Sequence, residues 1–121
     1  MKTKEQLRAE RASMMASALK ADVVRDYLVE VRAFPALVHQ VGLAPALANL
    51  RAKGGNAKLF LYDHVSAWVS EAIFGDPKGD ALALVVKNPA VHLLRAQEEA
   101  LAFSVWLRRF VEAREPKARK T

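Results

Sequence analysis

Residues 98–113, with the sequence EEALAFSVWLRRFVEA, constrain the fold of this 121-residue chain more than any other segment. In and just before this stretch, apolar residues and alanines recur at alternating steps of four and three: Ala96, Ala100, Phe103, Leu107 and Phe110. This spacing places them on one face of an α-helix. Three more apolar residues point to other sides of the same helix: Leu101, Val105 and Trp106. A helix that is apolar nearly all round is predicted to be central, with neighbours on several sides.

The rest of the chain also has helical patterns, and we find no strand pattern. Apolar residues at four-residue steps predict a first helix over residues 4–32: Met15, Leu19, Val23, Tyr27 and Val31. Phe34-Pro35 is expected to break it, because the residue before a proline avoids helical geometry. Further helices are predicted over 35–41, 44–53, 57–74, 80–87 and 89–113, with Asn56, Asp80 and Asn88 as N-caps.

These segments predict an all-α fold, a compact single-domain bundle of about six helices with long first and last helices. We expect one domain over residues 1–121, with residues 1–3 and 114–121 as frayed tails. There is no cysteine, no secretory leader pattern and no apolar run long enough to cross a membrane. We therefore expect a cytoplasmic protein that does not bind membranes.

Catalytic and metal-binding patterns are sparse. The three histidines, His39, His64 and His92, lie far apart and lack the spacing of a zinc site. Glu98 and Glu99 are adjacent, so they diverge by about 100° around a helix, and we assign them surface or capping roles. No glycine-rich phosphate loop or nucleophile elbow is present. We predict no enzyme activity, no metal and no cofactor.

Basic residues are the main candidates for a binding role. The chain has 19 Lys and Arg but only 13 Asp and Glu, which gives a net charge of +6. Such an excess serves either general solubility or binding to a polyanion. Scattered cations without base-reading motifs favour phosphate contacts. The candidate nucleic-acid contacts are Arg25, Arg32, Arg51, Lys53, Lys58, Arg108 and Arg109. Trp68 and Trp106 lie in apolar helical stretches, so core packing is favoured over base stacking.

The predicted first helix carries a charge pattern with no local stabilising reason. On a helical wheel, Arg8 and Arg11 fall on the same side as Asp22, Asp26 and Glu30. The acids repel one another at i,i+4 and sit toward the negative end of the helix dipole. One explanation is a protein interface in which copies stack head to tail, which would build a filament. The alternative is pairing of the acids with Arg25, Arg32 or a neighbouring helix.

Three blocks of the sequence resemble a known family. They are FPALVHQVGLAPALANLRAKGG at 34–55, LYDHVSAWV at 61–69 and EEALAFSVWLRRFVEA at 98–113, in the order and spacing of that family. The chain thus resembles the small subunit of the Cmr-type (type III-B) CRISPR RNA-targeting effector complex. The stretch 93–97, LLRAQ, departs from the family, which often has tyrosine and threonine there.

The resemblance implies an all-helical subunit without catalytic activity, whose copies stack along a duplex of guide RNA and target RNA. Its partners would be the other subunits of the Cmr complex, further copies of itself and both RNAs. Lys53, Arg108 and Arg109 match the family pattern, whereas the other basic candidates rest on charge placement alone. The alternative function is a helical adaptor whose basic surface binds an acidic protein partner without RNA.

Overall fold

A computed structural model describes residues 1–52 and 55–115. Within them the chain forms six α-helices, one 3-10 turn at Ala21–Val23 and no strand. The helices are α1 (Lys4–Ala18), α2 (Val24–Val41), α3 (Leu43–Ala52), α4 (Asn56–Phe74), α5 (Ala81–Lys87) and α6 (Ala90–Arg114). The predicted all-α bundle is confirmed. No helix in this described part is long and apolar enough to cross a membrane.

Helix α6 occupies the centre, because it contacts each of the other five α-helices. Four residues of the predicted apolar face, which we call the apolar seam, are completely buried: Ala96, Ala100, Phe103 and Leu107. Phe110 is only partly buried, and Val111 completes the buried face instead. Phe103 stacks on Trp68 of α4 with 5.0 Å between ring centroids. The predicted core position of the last helix is therefore confirmed.

Contacts along α6 fix the direction of its neighbours. Helix α2 runs antiparallel to it, since Arg32 bonds to Glu112 near the end of α6, whereas the Leu43 N–H after α2 bonds to Gln97 near its beginning. Helix α4 is also antiparallel, as Trp68 meets Phe103 and Phe74 meets His92. The N-terminal end of α2 therefore lies at the C-terminal end of α6.

The predicted first helix over 4–32 is wrong, because the chain leaves helical geometry at Leu19 (φ −66°, ψ 136°). No proline or glycine marks this break. Arg114, at the end of α6, donates hydrogen bonds to the carbonyls of Ala16 and Leu19. A tertiary contact thus satisfies carbonyls that the end of α1 leaves free.

Pro35 does not break α2, contrary to the sequence prediction. It lies inside the helix, where its missing N–H removes one helical hydrogen bond. Phe34 and Val38 on either side are each only 1% exposed, so burial of this apolar face holds α2 together.

The predicted caps agree only in part with the structure. The Asp80 carboxylate accepts from the Ala83 N–H and caps α5, as predicted. Asn56 is not a cap but the first residue of α4. Asn88 does not begin α6, since its side chain donates to the Leu84 carbonyl at the end of α5. The end of the predicted helix over 44–53 and most of the predicted tail at 114–121 lie outside the described residues, but Arg114 itself is helical.

Candidate nucleic-acid interface

Three of the predicted basic contacts are already paired with carboxylates. Arg32 bonds to Glu112 (Nη2–Oε2 2.9 Å), Arg51 lies 3.4 Å from Asp80 and Lys58 lies 3.5 Å from Glu30. The surface around each of these three cations therefore carries less net positive charge than the sequence implies. Lys53 lies outside the described residues.

The other three, Arg25, Arg108 and Arg109, form no ion pair with any residue in 1–52 or 55–115. Arg25 is exposed on α2. Arg109 is also exposed and lies over the Trp106 ring, 5.5 Å from its centroid. Arg108 is half-buried, and its Nε atom has no hydrogen-bond partner. Adjacent positions on a helix diverge by about 100°, so the predicted arginine pair is split between two sides of α6.

Helical spacing brings three arginines to the line where α2 meets α6. Arg25 lies two turns before Arg32 on the same side of α2. Arg108 lies one turn before Glu112, the residue that binds Arg32. We call Arg25, Arg32 and Arg108 the arginine seam. Among the described residues only Arg32 is paired, with Glu112, so Arg25 and Arg108 leave an excess of positive charge along this line.

The predicted charged face on the first helix does not exist as one surface, because α1 and α2 are separate helices. Arg8 binds Glu99 and Glu5, and Arg11 binds Glu71 at 2.9 Å. These two arginines are therefore committed to contacts inside the chain. Sequence reasoning missed Glu71 and Glu99 as partners because they lie in α4 and α6, far away along the chain.

The acids of that face remain on the surface. Asp22 and Asp26 are exposed, and neither forms an ion pair within the described ranges. Val29 follows on the same side of α2 with 59% of its surface exposed. We call Asp22, Asp26 and Val29 the acidic stripe. Glu30, the third predicted acid, is paired with Lys58 on α4.

Glu99 is the polar centre of the bundle, with only 3% of its side chain exposed. It accepts two hydrogen bonds from the Arg8 guanidinium (Nη2–Oε1 2.9 Å) and one from Trp68 Nε1 (2.7 Å), and Lys4 lies 3.3 Å away. Burial by itself raises the pKa of Glu99, but the hydrogen bonds from Arg8 and Trp68 outweigh it and lower the pKa to about 2. The carboxylate is thus charged at neutral pH.

The surface or capping role predicted for Glu99 is wrong. A signal for burial was present, since Glu99 lies three residues after Ala96 and four before Phe103, two members of the apolar seam. Its neighbour Glu98 is exposed, as predicted. The network joins α1, α4 and α6, so its role is to hold the bundle together.

The histidines do not converge on a reaction centre. His64 Nδ1 is hydrogen-bonded to the Tyr27 hydroxyl at 2.8 Å, and burial lowers the pKa of His64 to about 4. His92 packs against Phe74, and His39 is exposed. Among residues 1–52 and 55–115, no group of three or more potential ligands is arranged to hold a metal ion.

Comparisons with known proteins agree with this kind of molecule. The family model described as "CRISPR-associated protein (Cas_Cmr5)" matches residues 4–114. The fold is similar to the crystal structure of a CRISPR-associated Cmr5 family protein from Thermus thermophilus, with a TM-score of 0.76 and 26% sequence identity. The match covers 93% of this chain and 97% of that one. A search of curated proteins finds no match.

The family match and the fold thus define an all-helical CRISPR-associated protein. The chain belongs to the Cmr5 family, the small subunit of Cmr-type, type III-B, CRISPR complexes. The resemblance of the three sequence blocks to that family is confirmed. Membership implies association with other subunits of a Cmr complex.

Proposed function

We propose that this chain is a non-catalytic small subunit that stacks with its own copies along the duplex of guide RNA and target RNA in a cytoplasmic Cmr effector complex. Its contribution to antiviral defence would be RNA binding and assembly. The observation that carries the proposal is the arginine seam, in which Arg32 is paired with Glu112 while Arg25 and Arg108 form no ion pair with the described residues. Cations in this arrangement bind phosphates and release counterions whatever the base sequence.

The tryptophans support contact with the phosphate backbone and not with bases. Trp68 is 7% exposed, stacks on Phe103 and donates its Nε1 hydrogen to Glu99. Trp106 donates to Glu5 and is covered on one face by Arg109. Neither ring offers a free stacking platform of the kind used for single-stranded bases. We therefore expect binding to be independent of sequence.

The acidic stripe supports stacking between copies. Asp22 and Asp26 are exposed and repel each other, so they do not stabilise the isolated subunit. A cationic surface on the next copy would offset this repulsion. The exposed Val29 beside them would add apolar contact to the same interface. A repeated contact of this kind forms an open filament.

Loss of seam charges is expected to reduce the salt dependence of RNA binding. We expect Arg25→Gln with Arg108→Gln to lower the slope of log K against log salt concentration by about 1.5, since each lost phosphate contact accounts for about 0.7 to 0.9. Affinity should fall for all RNA sequences alike. The measurement is fluorescence anisotropy of a reconstituted Cmr complex on labelled target RNA across a series of salt concentrations.

The matched control is Lys2→Gln with Lys78→Gln, which removes two exposed charges away from the seam. This control should retain the wild-type slope. Equal slopes for the seam variant and the wild type would rule out phosphate binding by the seam. Copurification with an acidic protein but no RNA would instead favour the adaptor function.

A further inference from the structure

Large apolar side chains are exposed where α5 ends and α6 begins. Val86 is 70% exposed, Val91 59% and Leu94 63%. Two exposed cations, Lys87 and Arg95, lie among them along the chain. We call these five residues the basic end. Their exposure leaves an apolar surface that the isolated subunit does not cover, which is typical of a protein contact.

The electrostatics of the basic end favour an acidic partner. Within the described residues, neither Lys87 nor Arg95 forms an ion pair. Pro89 is the N-cap of α6, and no side chain within residues 1–52 and 55–115 makes a capping hydrogen bond there. The helix dipole adds partial positive charge at the same point. An apolar surface surrounded by positive charge is suited to a partner surface in which carboxylates lie beside an aliphatic side chain.

The acidic stripe combines carboxylates with an aliphatic side chain in this way. It lies at the opposite end of the molecule from the basic end. The stripe begins three residues after Leu19, whose carbonyl is bound by Arg114 at the C-terminal end of α6. The basic end lies at the N-terminal end of α6. The 25 residues of α6 separate the two surfaces by about 37 Å. They cannot meet within one subunit, but they can meet between successive copies.

We propose that the basic end is the surface on which the acidic stripe of the next copy docks. In this contact Asp22 and Asp26 face Lys87, Arg95 and the first turn of α6, while Val29 packs among the exposed apolar side chains. A second copy is favoured as the occupant because the same chain carries both halves, matched in charge and apolar character. The proposal rests on the stacking proposed above, and it names the receiving face.

The contact also fixes where RNA lies relative to the filament axis. At 100° per residue, Arg25 lies about 40° around α2 from Val29 and about 100° from Asp26, and Arg32 lies about 60° and about 120° from them. The arginine seam therefore lies beside the copy-to-copy contact. Stacked copies would present successive seams along one side of the filament, as a continuous phosphate backbone requires.

Charge reversal on each side tests this contact in a reconstituted Cmr complex whose copy number is measured by native mass spectrometry. Lys87→Glu with Arg95→Glu should weaken association between copies at least about tenfold, and so should Asp22→Lys with Asp26→Lys, because each places like charges together. Combining all four substitutions in one chain should restore stacking, since opposite charges face each other again. Lys2→Glu, at an exposed position just before α1, is the control and should stack normally.

The outcomes separate the two proposals. A wild-type complex that never holds adjacent copies would overturn stacking itself and this contact with it. Wild-type stacking that survives both charge reversals would overturn only the assignment of these faces. Loss of stacking in both reversed variants without recovery in the combined variant would also overturn it. Circular dichroism of each variant establishes that the surface substitutions leave the helices intact.

Discussion

Glu99→Gln is expected to lower the free energy of unfolding by about 3 kcal/mol, because it leaves Arg8 largely buried without its carboxylate. The Arg8 side chain is only 18% exposed, and two of its three guanidinium nitrogens bond to Glu99. Trp68 Nε1 keeps an acceptor in the amide oxygen only if the new side chain turns that way. The measurement is urea unfolding at pH 7, followed by helical circular dichroism.

Glu98→Gln is the matched control, since it makes the same chemical change one residue earlier on an exposed position. It should alter the unfolding free energy by no more than about 0.5 kcal/mol. Arg8→Met combined with Glu99→Gln should be less destabilising than the sum of the two single variants, because it removes the unpaired charge. Equal unfolding energies for the Glu98 and Glu99 variants would show that the buried network does not stabilise the bundle.

The stability of the protein is expected to fall as the pH is lowered from about 6.5 to about 4, because His64 binds its proton less readily in the folded state. Burial lowers its pKa to about 4 from an ordinary value of 6.5. Within that window the unfolded chain holds more protons, so each pH unit removes up to about 1.4 kcal/mol. Stability therefore rises with pH over this range, as expected for a group whose neutral form is favoured by folding.

Glu99 affects stability over a lower pH range than His64 does, which allows the two effects to be separated. Its folded pKa of about 2 lies below the ordinary value of 4.5. Its contribution to stability is therefore complete above pH 4.5 and is lost as the pH falls toward 2. Acid unfolding should show two successive losses of stability, the first from protonating His64 and the second from protonating Glu99.

The variant His64→Gln tests whether His64 causes the loss of stability between pH 6.5 and 4. Glutamine keeps a hydrogen-bonding group for the Tyr27 hydroxyl but does not titrate. The unfolding free energy of this variant should change little between pH 6.5 and 4, while the loss below pH 4.5 persists. The measurement is a set of urea unfolding curves at half-unit pH steps. A slope between pH 6.5 and 4 equal to that of the wild type would contradict the assignment.

The sequence pattern predicts the centre of this fold well, because the burial of α6 depends on local periodicity. The helical spacing predicts one apolar face, and its members Ala96, Ala100, Phe103 and Leu107 are all completely buried. The end of α1 could not be predicted in the same way. It is fixed by Arg114, which is 95 residues away from Leu19. A contact over that separation leaves no signal in a local window.

The candidate interface shows the same division between charge content and charge pairing. The sequence predicts a basic surface, but it does not show that Arg32 meets Glu112 across 80 residues. Nor does it show that Arg8 turns inward to Glu99, 91 residues away. Tertiary pairing thus separates Arg51 and Lys58, which are paired, from Arg25, Arg108 and Arg109, which form no ion pair with the described residues.

Photo-crosslinking from the arginine seam tests the proposed RNA contact most directly. A photoreactive amino acid is placed at position 25, 32 or 108, with position 2 as the control, in a Cmr complex assembled on guide RNA and labelled target RNA. If the arginine seam contacts RNA, the seam positions should crosslink to RNA and position 2 should not. Crosslinks from all three seam positions to protein alone would contradict the proposed contact.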